Sequence, residues 1–240
     1  MSPDPLLRVE GLVKRFGGFR ALDGVSFHLA PGEVLGLMGP NGSGKTTCIN
    51  VISGLYAPDG GAVRFDGQAI GGQKAHLLAR AGINRTFQSP KPFLSLTVAE
   101  NVAVAATYGN GSGKPVDVMA LLAELELDGL AHRPAGDLNS AQQKTLDLAR
   151  ALATAPRILL VDELAAGLNP AELSHMASRL RALAAGGMAL LVVEHLMGFI
   201  DKVTDRVIVM NAGREIFEGT LADATRDAEV VRVFLGGAHG

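Results

Sequence analysis

Gly39-Pro40-Asn41-Gly42-Ser43-Gly44-Lys45-Thr46-Thr47 stands between the apolar run 34–38 and the apolar-periodic stretch 48–55. The order apolar strand, glycine-rich loop, helix is what gives the pattern G-x-x-x-x-G-K-[ST] its meaning. Glycines at 39, 42 and 44 let the backbone curl, so that successive N–H groups face one anion. The following helix adds the positive end of its dipole, and Lys45 adds a full charge. Pro40, Asn41, Ser43 and Thr47 complete the loop, and the Thr46 hydroxyl suits Mg²⁺. The stretch predicts a strand–loop–helix unit that grips a nucleoside triphosphate.

Working outward, the 240 residues suffice for one large domain, or for a domain with a subdomain. An apolar share of 48% with 19% charged residues describes a folded chain, neither disordered nor fibrous. The formal charge of −2 argues against a nucleic-acid binder, which would carry a basic stripe. Cys48 is the sole cysteine, which rules out an intrachain disulfide and fits a reducing compartment. No stretch reaches the roughly 18 apolar residues that span a bilayer, and Met-Ser-Pro-Asp-Pro lacks an export-signal layout. Any membrane association is therefore expected to run through a partner.

The segment 6–29 alternates apolar and polar residues around a Gly17-Gly18 break, the pattern of half-buried antiparallel strands. Residues 62–67 predict another short strand. Helical spacing then takes over at 98–106, 116–127 and 140–155, with a glycine-rich loop at 109–113. Runs 158–161, 189–193 and 207–210 are continuously apolar, as strands buried on both faces are. Pro170 opens an amphipathic helix over 171–185. The expected architecture is α/β, a mostly parallel sheet with an antiparallel β subdomain and a helical insertion. The corresponding division is a core of 6–87 and 156–240, with a helical subdomain at 88–155.

Asp162 and Glu163 come directly after an apolar run, at the strand end where parallel sheets bind ligands. Beside a phosphate loop, Asp162 is placed to support Mg²⁺ and Glu163 to act as general base on water. His195, in Val192-Val193-Glu194-His195, would emerge at the same sheet edge within reach of a terminal phosphate. A strand-end histidine taken alone is more often a structural hydrogen-bonder. Gln88, in Arg85-Thr86-Phe87-Gln88, can both ligate Mg²⁺ and touch the attacking water, although in isolation it reads as a loop glutamine.

Phe16, GPNGSGKTT, RTFQ, LNSAQQKTLDLARAL, ILLVDELAAGLNP and VVEH occur in that order and cover essentially the whole chain. The set resembles an ATP-binding cassette (ABC) transporter ATPase subunit. Within that family, RTFQ, AAGLNP and the VFLGG tail resemble the subunits of branched-chain and related hydrophobic amino-acid importers. Urea importers and lipopolysaccharide exporters have subunits of similar appearance. The resemblance implies a P-loop NTPase fold that hydrolyses ATP with Mg²⁺. It implies that Phe16 stacks on adenine, a contact worth about 1–3 kcal/mol. An ordinary core phenylalanine is the alternative. Residues 39–47 would hold the phosphates, Thr46 and Gln88 the metal, and His195 would sense the γ-phosphate.

The family signature Leu-Ser-Gly-Gly-Gln is replaced here by Leu138-Asn139-Ser140-Ala141-Gln142. By resemblance this helix start faces the γ-phosphate held by a second ABC ATPase subunit. Ala141 adds a methyl where backbone and phosphate meet, and Asn139 replaces a hydroxyl, which weakens the contact and points toward a pair of unlike subunits. Leu164 stands where a proline normally follows the glutamate. The implied partners are a second cassette and transmembrane permease subunits reached near 90–100, with a solute-binding protein beyond them. The implied location is the cytoplasmic face of the membrane. A non-hydrolysing member of an asymmetric pair remains the alternative in kind.

Overall fold

In the computed structural model, which describes residues 4–111 and 113–236, the chain opens with β1 (Leu7–Phe16) and β2 (Phe19–Leu29). These two pair antiparallel through a turn in which Gly17 takes φ 58°. Next come β3 (Val34–Met38), α1 (Lys45–Ile52), β4 (Gly60–Phe65), β5 (Gln68–Ala69), α2 (Ala75–Ala81) and β6 (Ile83–Arg85). A helical stretch follows, with α3 (Val98–Gly109), α4 (Val118–Glu124) and α5 (Ser140–Leu152). The chain then alternates through β7 (Ile158–Asp162), α6 (Pro170–Ala185), β8 (Ala189–Val193), α7 (Met197–Val203) and β9 (Arg206–Asn211). It closes with β10 (Arg214–Gly219), α8 (Leu221–Ala224) and α9 (Ala228–Gly236).

The strands form two sheets among the described residues. One is antiparallel, in the order β2-β1-β4-β5. The other runs β10-β9-β3-β8-β7-β6, parallel throughout except for the β9–β10 hairpin at its edge. The strands β3, β7 and β8 are buried at every position, which explains why they read as unbroken apolar runs. Their side chains alternate between two cores. Val34, Leu159, Val161, Leu190 and Val192 pack toward the helices, with Val102, Leu146, Leu180 and Ile200. Leu35, Leu37, Leu160, Leu191 and Val193 pack the other way, onto Ile49 and Ile52 of α1 and Leu7, Val9 and Leu22 of the antiparallel sheet. Each such aliphatic side chain contributes about 1.5–3 kcal/mol by leaving water.

Several elements differ from the sequence expectation. The helix expected at 116–127 is confined to α4, because Glu126 takes φ 57° and turns the chain while Leu125 and Leu127 stay buried. The one expected to reach 155 ends at Leu152, ahead of Ala155 at φ 52°. The helix at 98–106 extends to Gly109, so the glycine loop begins later. Ser112 of that loop and Gly237, which ends the VFLGG tail motif, lie outside the described residues.

Candidate functional site

Four neighbouring parallel strands, in the order β3-β8-β7-β6, end on the same side of the sheet. At or just beyond those ends the chain places the glycine loop, Glu194-His195, Asp162-Glu163 and Arg85 to Gln88, respectively. Parallel topology alone therefore gathers motifs that are up to 156 residues apart in the chain, from Gly39 to His195.

The loop's glycines are required by space as well as by φ. A Cβ on Gly39 would lie 2.2 Å from the Met210 carbonyl oxygen and 2.7 Å from Ser43 Oγ. On Gly44 it would lie 2.5 Å from the Ala21 carbonyl oxygen, and both residues have positive φ, 144° and 107°. Helix α1 begins at Lys45 with no side-chain cap and no acid in its first turn. Its leading amides are thus left for an anion. Lys45 is buried and folds back, donating from Nζ to the Gly39 carbonyl at 2.8 Å and the Pro40 carbonyl at 3.0 Å. Burial lowers its pKa, while the Glu163 and Asp162 charges oppose that shift. Thr46 is exposed at the loop's mouth, and Asn41 and Gly42 are exposed beside it.

Asp162 is 3% exposed and accepts from Arg85 Nη2 at 2.9 Å. Burial raises its pKa, Arg85 opposes this, and Glu163 adds to it. Arg85 also donates to Asn50 Oδ1 at 2.6 Å, which ties Asp162 to α1. Glu163 is half-buried and sits at φ 48°, a left-handed conformation uncommon outside glycine and frequent at functional sites. That turn carries its carboxylate to Gln88, whose Nε2 donates to Glu163 Oε2 at 2.5 Å. The structure thus brings together two side chains 75 positions apart. His195 lies two residues past the end of β8 and is exposed, with Nδ1 3.9 Å from Glu194 Oε2.

Phe16 is 44% exposed, so it is no core phenylalanine. It meets Tyr56 edge-on at a centroid distance of 5.2 Å, and Lys14 Nζ lies 5.5 Å from its ring. Tyr56 escaped the sequence reading; its only signal was an aromatic residue just past α1. Elsewhere on the chain, Asn139 caps α5. Its Oδ1 accepts from Gln142 N at 2.9 Å, and Gln142 Oε1 accepts from Asn139 N at 3.0 Å. Ser140 is exposed and Ala141 partly so.

Sequence reasoning also missed two buried ionic residues. Lys144, one turn into α5, donates to the Leu164 carbonyl at 2.9 Å and to the Ala166 carbonyl. Glu194 has no exposed surface and accepts from Ala165 N at 2.6 Å. Its available signal was a carboxylate ending a wholly apolar strand.

Among the described residues no group of three or more histidines, cysteines and acids is set to hold a metal. Mg²⁺ needs no such cluster, because it is usually bound through one or two carboxylates together with substrate phosphates and water. The Thr46 hydroxyl, the Gln88 amide and the Asp162 carboxylate supply hard oxygen donors beside the loop.

Strand ends that deliver a phosphate loop and an acid pair to one edge of a parallel sheet make this a nucleotide-binding cassette. The chain belongs to the ABC transporter family, whose model matches residues 22–166. It is 35% identical to the high-affinity branched-chain amino acid transport ATP-binding protein BraF of Pseudomonas aeruginosa, covering 98% of this chain and 99% of that one. It is 37% identical to the probable branched-chain amino acid transport ATP-binding protein LivG of Archaeoglobus fulgidus, over 96% and 95%. The ADP conformation of MJ1267, an ATP-binding cassette of an ABC transporter, superposes with a TM-score of 0.88 at 34% identity, over 97% and 99%. A dimeric post-hydrolysis cassette, MJ0796 bound to ADP and Pi, gives 0.80 at 26% identity, over 90% and 98%. The chain is an ATP-binding subunit of an ABC transporter. Among the described residues no helix is long and apolar enough to cross a membrane.

Proposed function

We propose that this subunit hydrolyses ATP to power import of a branched-chain or related amino acid. The observation that carries the reading is the Gln88–Glu163 hydrogen bond, made beside Asp162 and facing the Lys45 loop. In this mechanism the loop amides and Lys45 bind the phosphates, with Phe16 against the adenine. Glu163 takes the proton of the attacking water, Gln88 orients that water, and His195 steadies the γ-phosphate. Mg²⁺, held by Thr46 and Gln88 with support from Asp162, would neutralise charge on the terminal phosphates. Positioning and charge stabilisation carry most of the rate, as in phosphoryl transfer generally.

In this reading two cassettes close head-to-tail, each loop completed by the other's residues 139–142 and 165–169. Residues 88–155 form the helical subdomain, and the segment 90–100 passes the motion to permease subunits at the cytoplasmic face. The relatives' printed roles in branched-chain amino acid transport support the substrate class. The Asn139–Gln142 capping box favours an unlike partner, since both side chains are engaged within α5.

The test is Glu163→Gln. Turnover should fall by about 10²–10⁴-fold, the usual worth of a general base. ATP affinity should persist, and ATP should trap a closed dimer visible by light scattering. Undiminished turnover would remove Glu163 as the base.

A further inference from the structure

We propose that Lys144 and Glu194 form a buried clamp that sets the loop 164–169 for the opposing subunit and ties it to His195. This rests on the head-to-tail dimer proposed above. Three successive residues are gripped, two through their carbonyls and one through its amide. Lys144 holds the carbonyls of Leu164 and Ala166, while Glu194 holds the amide of Ala165 and, at 3.3 Å, that of His195. Lys144 is 5% exposed and Glu194 fully buried. At its far end the loop is fixed again, because Asn169 Oδ1 accepts from Ala171 N and Glu172 N at 3.0 Å each.

Burying an ammonium and a carboxylate to hold backbone groups is a poor route to stability. An apolar pair of similar volume would pack at lower cost. What the two charged groups add is geometry, because through their backbone bonds they join three segments with distinct roles in the dimer. Lys144 lies four residues beyond Ser140, so it shares a helix face with the partner-facing turn of α5. Glu194 precedes His195, which belongs to the chain's own site. The loop between them contributes to the opposite site. A change at one γ-phosphate therefore has a short, buried route to the residues that complete the other. Lys144 and Glu194 are positioning residues, since both act by holding backbone groups of the segment that follows Glu163 and, for Glu194, of His195.

The test uses the full chain carrying Glu163→Gln, alone or mixed with its cognate second cassette. Lys144→Met and Glu194→Gln are compared with Lys144→Arg. Three quantities are read: ATP-analogue affinity, ATP-driven dimerisation, and hydrogen exchange of the 164–169 amides. For Lys144→Met and Glu194→Gln, analogue affinity should stay within about twofold, while dimerisation weakens by about tenfold or more. Exchange across 164–169 should accelerate, and Lys144→Arg should restore both. Dimerisation that matches the parent overturns the clamp alone. Loss of analogue affinity in both variants also overturns it, marking the junction as scaffold. A parent that never dimerises with ATP overturns the dimer reading and the clamp with it.

Discussion

A methyl group at position 39 would meet the Met210 carbonyl oxygen at 2.2 Å, a distance no real side chain tolerates. Gly39→Ala should push the loop away from β9 and lose ATP binding by more than a surface change would. A nucleotide titration beside a thermal melt checks this: affinity should fall while the melt keeps its cooperativity. At this scale the loop, Asp162 and Glu163 could be nominated from local spacing and specific chemistry. Gln88 reads as a loop glutamine until the whole set is considered, and the structure places it against Glu163. Arg85, Lys144, Glu194 and Tyr56 were not legible. Arg85 meets Asp162 across 77 positions and Glu194 meets Ala165 across 29. Only the pairing of strands and loops supplies those partners, and no single segment contains them.

Helix starts divide by purpose. Helix α6 has Asn169 as cap, Glu172 Oε2 accepting from Asn169 N at 2.8 Å, and Pro170 in the first turn. Replacing Asn169 with Ala should cost about 1 kcal/mol of stability, within the roughly 0.5–2 kcal/mol usual for lost caps. Urea unfolding checks it, and an unchanged midpoint would show that the cap adds nothing to stability. Long elements were readable from periodicity, as α3, α6 and the buried strands illustrate. Helix ends were less so, since Glu126 and Ala155 adopt left-handed turns without a glycine to announce them. Strand β6, three residues long, is too short to show any period.

Across the whole molecule, Asp147 joins α5 to the Gln88 loop by accepting from Phe87 N at 2.8 Å. Burial raises its pKa above 3.8, against the pull of that amide and of Arg150 and Arg85. A raised carboxylate binds protons more readily folded than unfolded, so its stability contribution declines as pH climbs through that window. Asp147→Asn keeps an acceptor and removes the ionisation. The stability difference should therefore shift toward the variant as pH rises above 3.8, read by urea unfolding at several pH values. A difference independent of pH would place the titration elsewhere.

The division between parallel sheet, antiparallel flap and helices was legible because buried runs and alternating runs differ in their pattern of residues. Which surfaces would meet another subunit came from the family resemblance alone, because one chain holds only half of each contact. The contrast between α1, whose first turn has no side-chain cap, and α5, whose start is capped by Asn139 and Gln142, bears on that missing half. One end is an open hand and the other a folded one. Two identical copies would repeat the reluctant handshake on both sides, whereas an unlike mate with free fingers would make one grasp firm and leave the other slack, so that the pair fires unevenly.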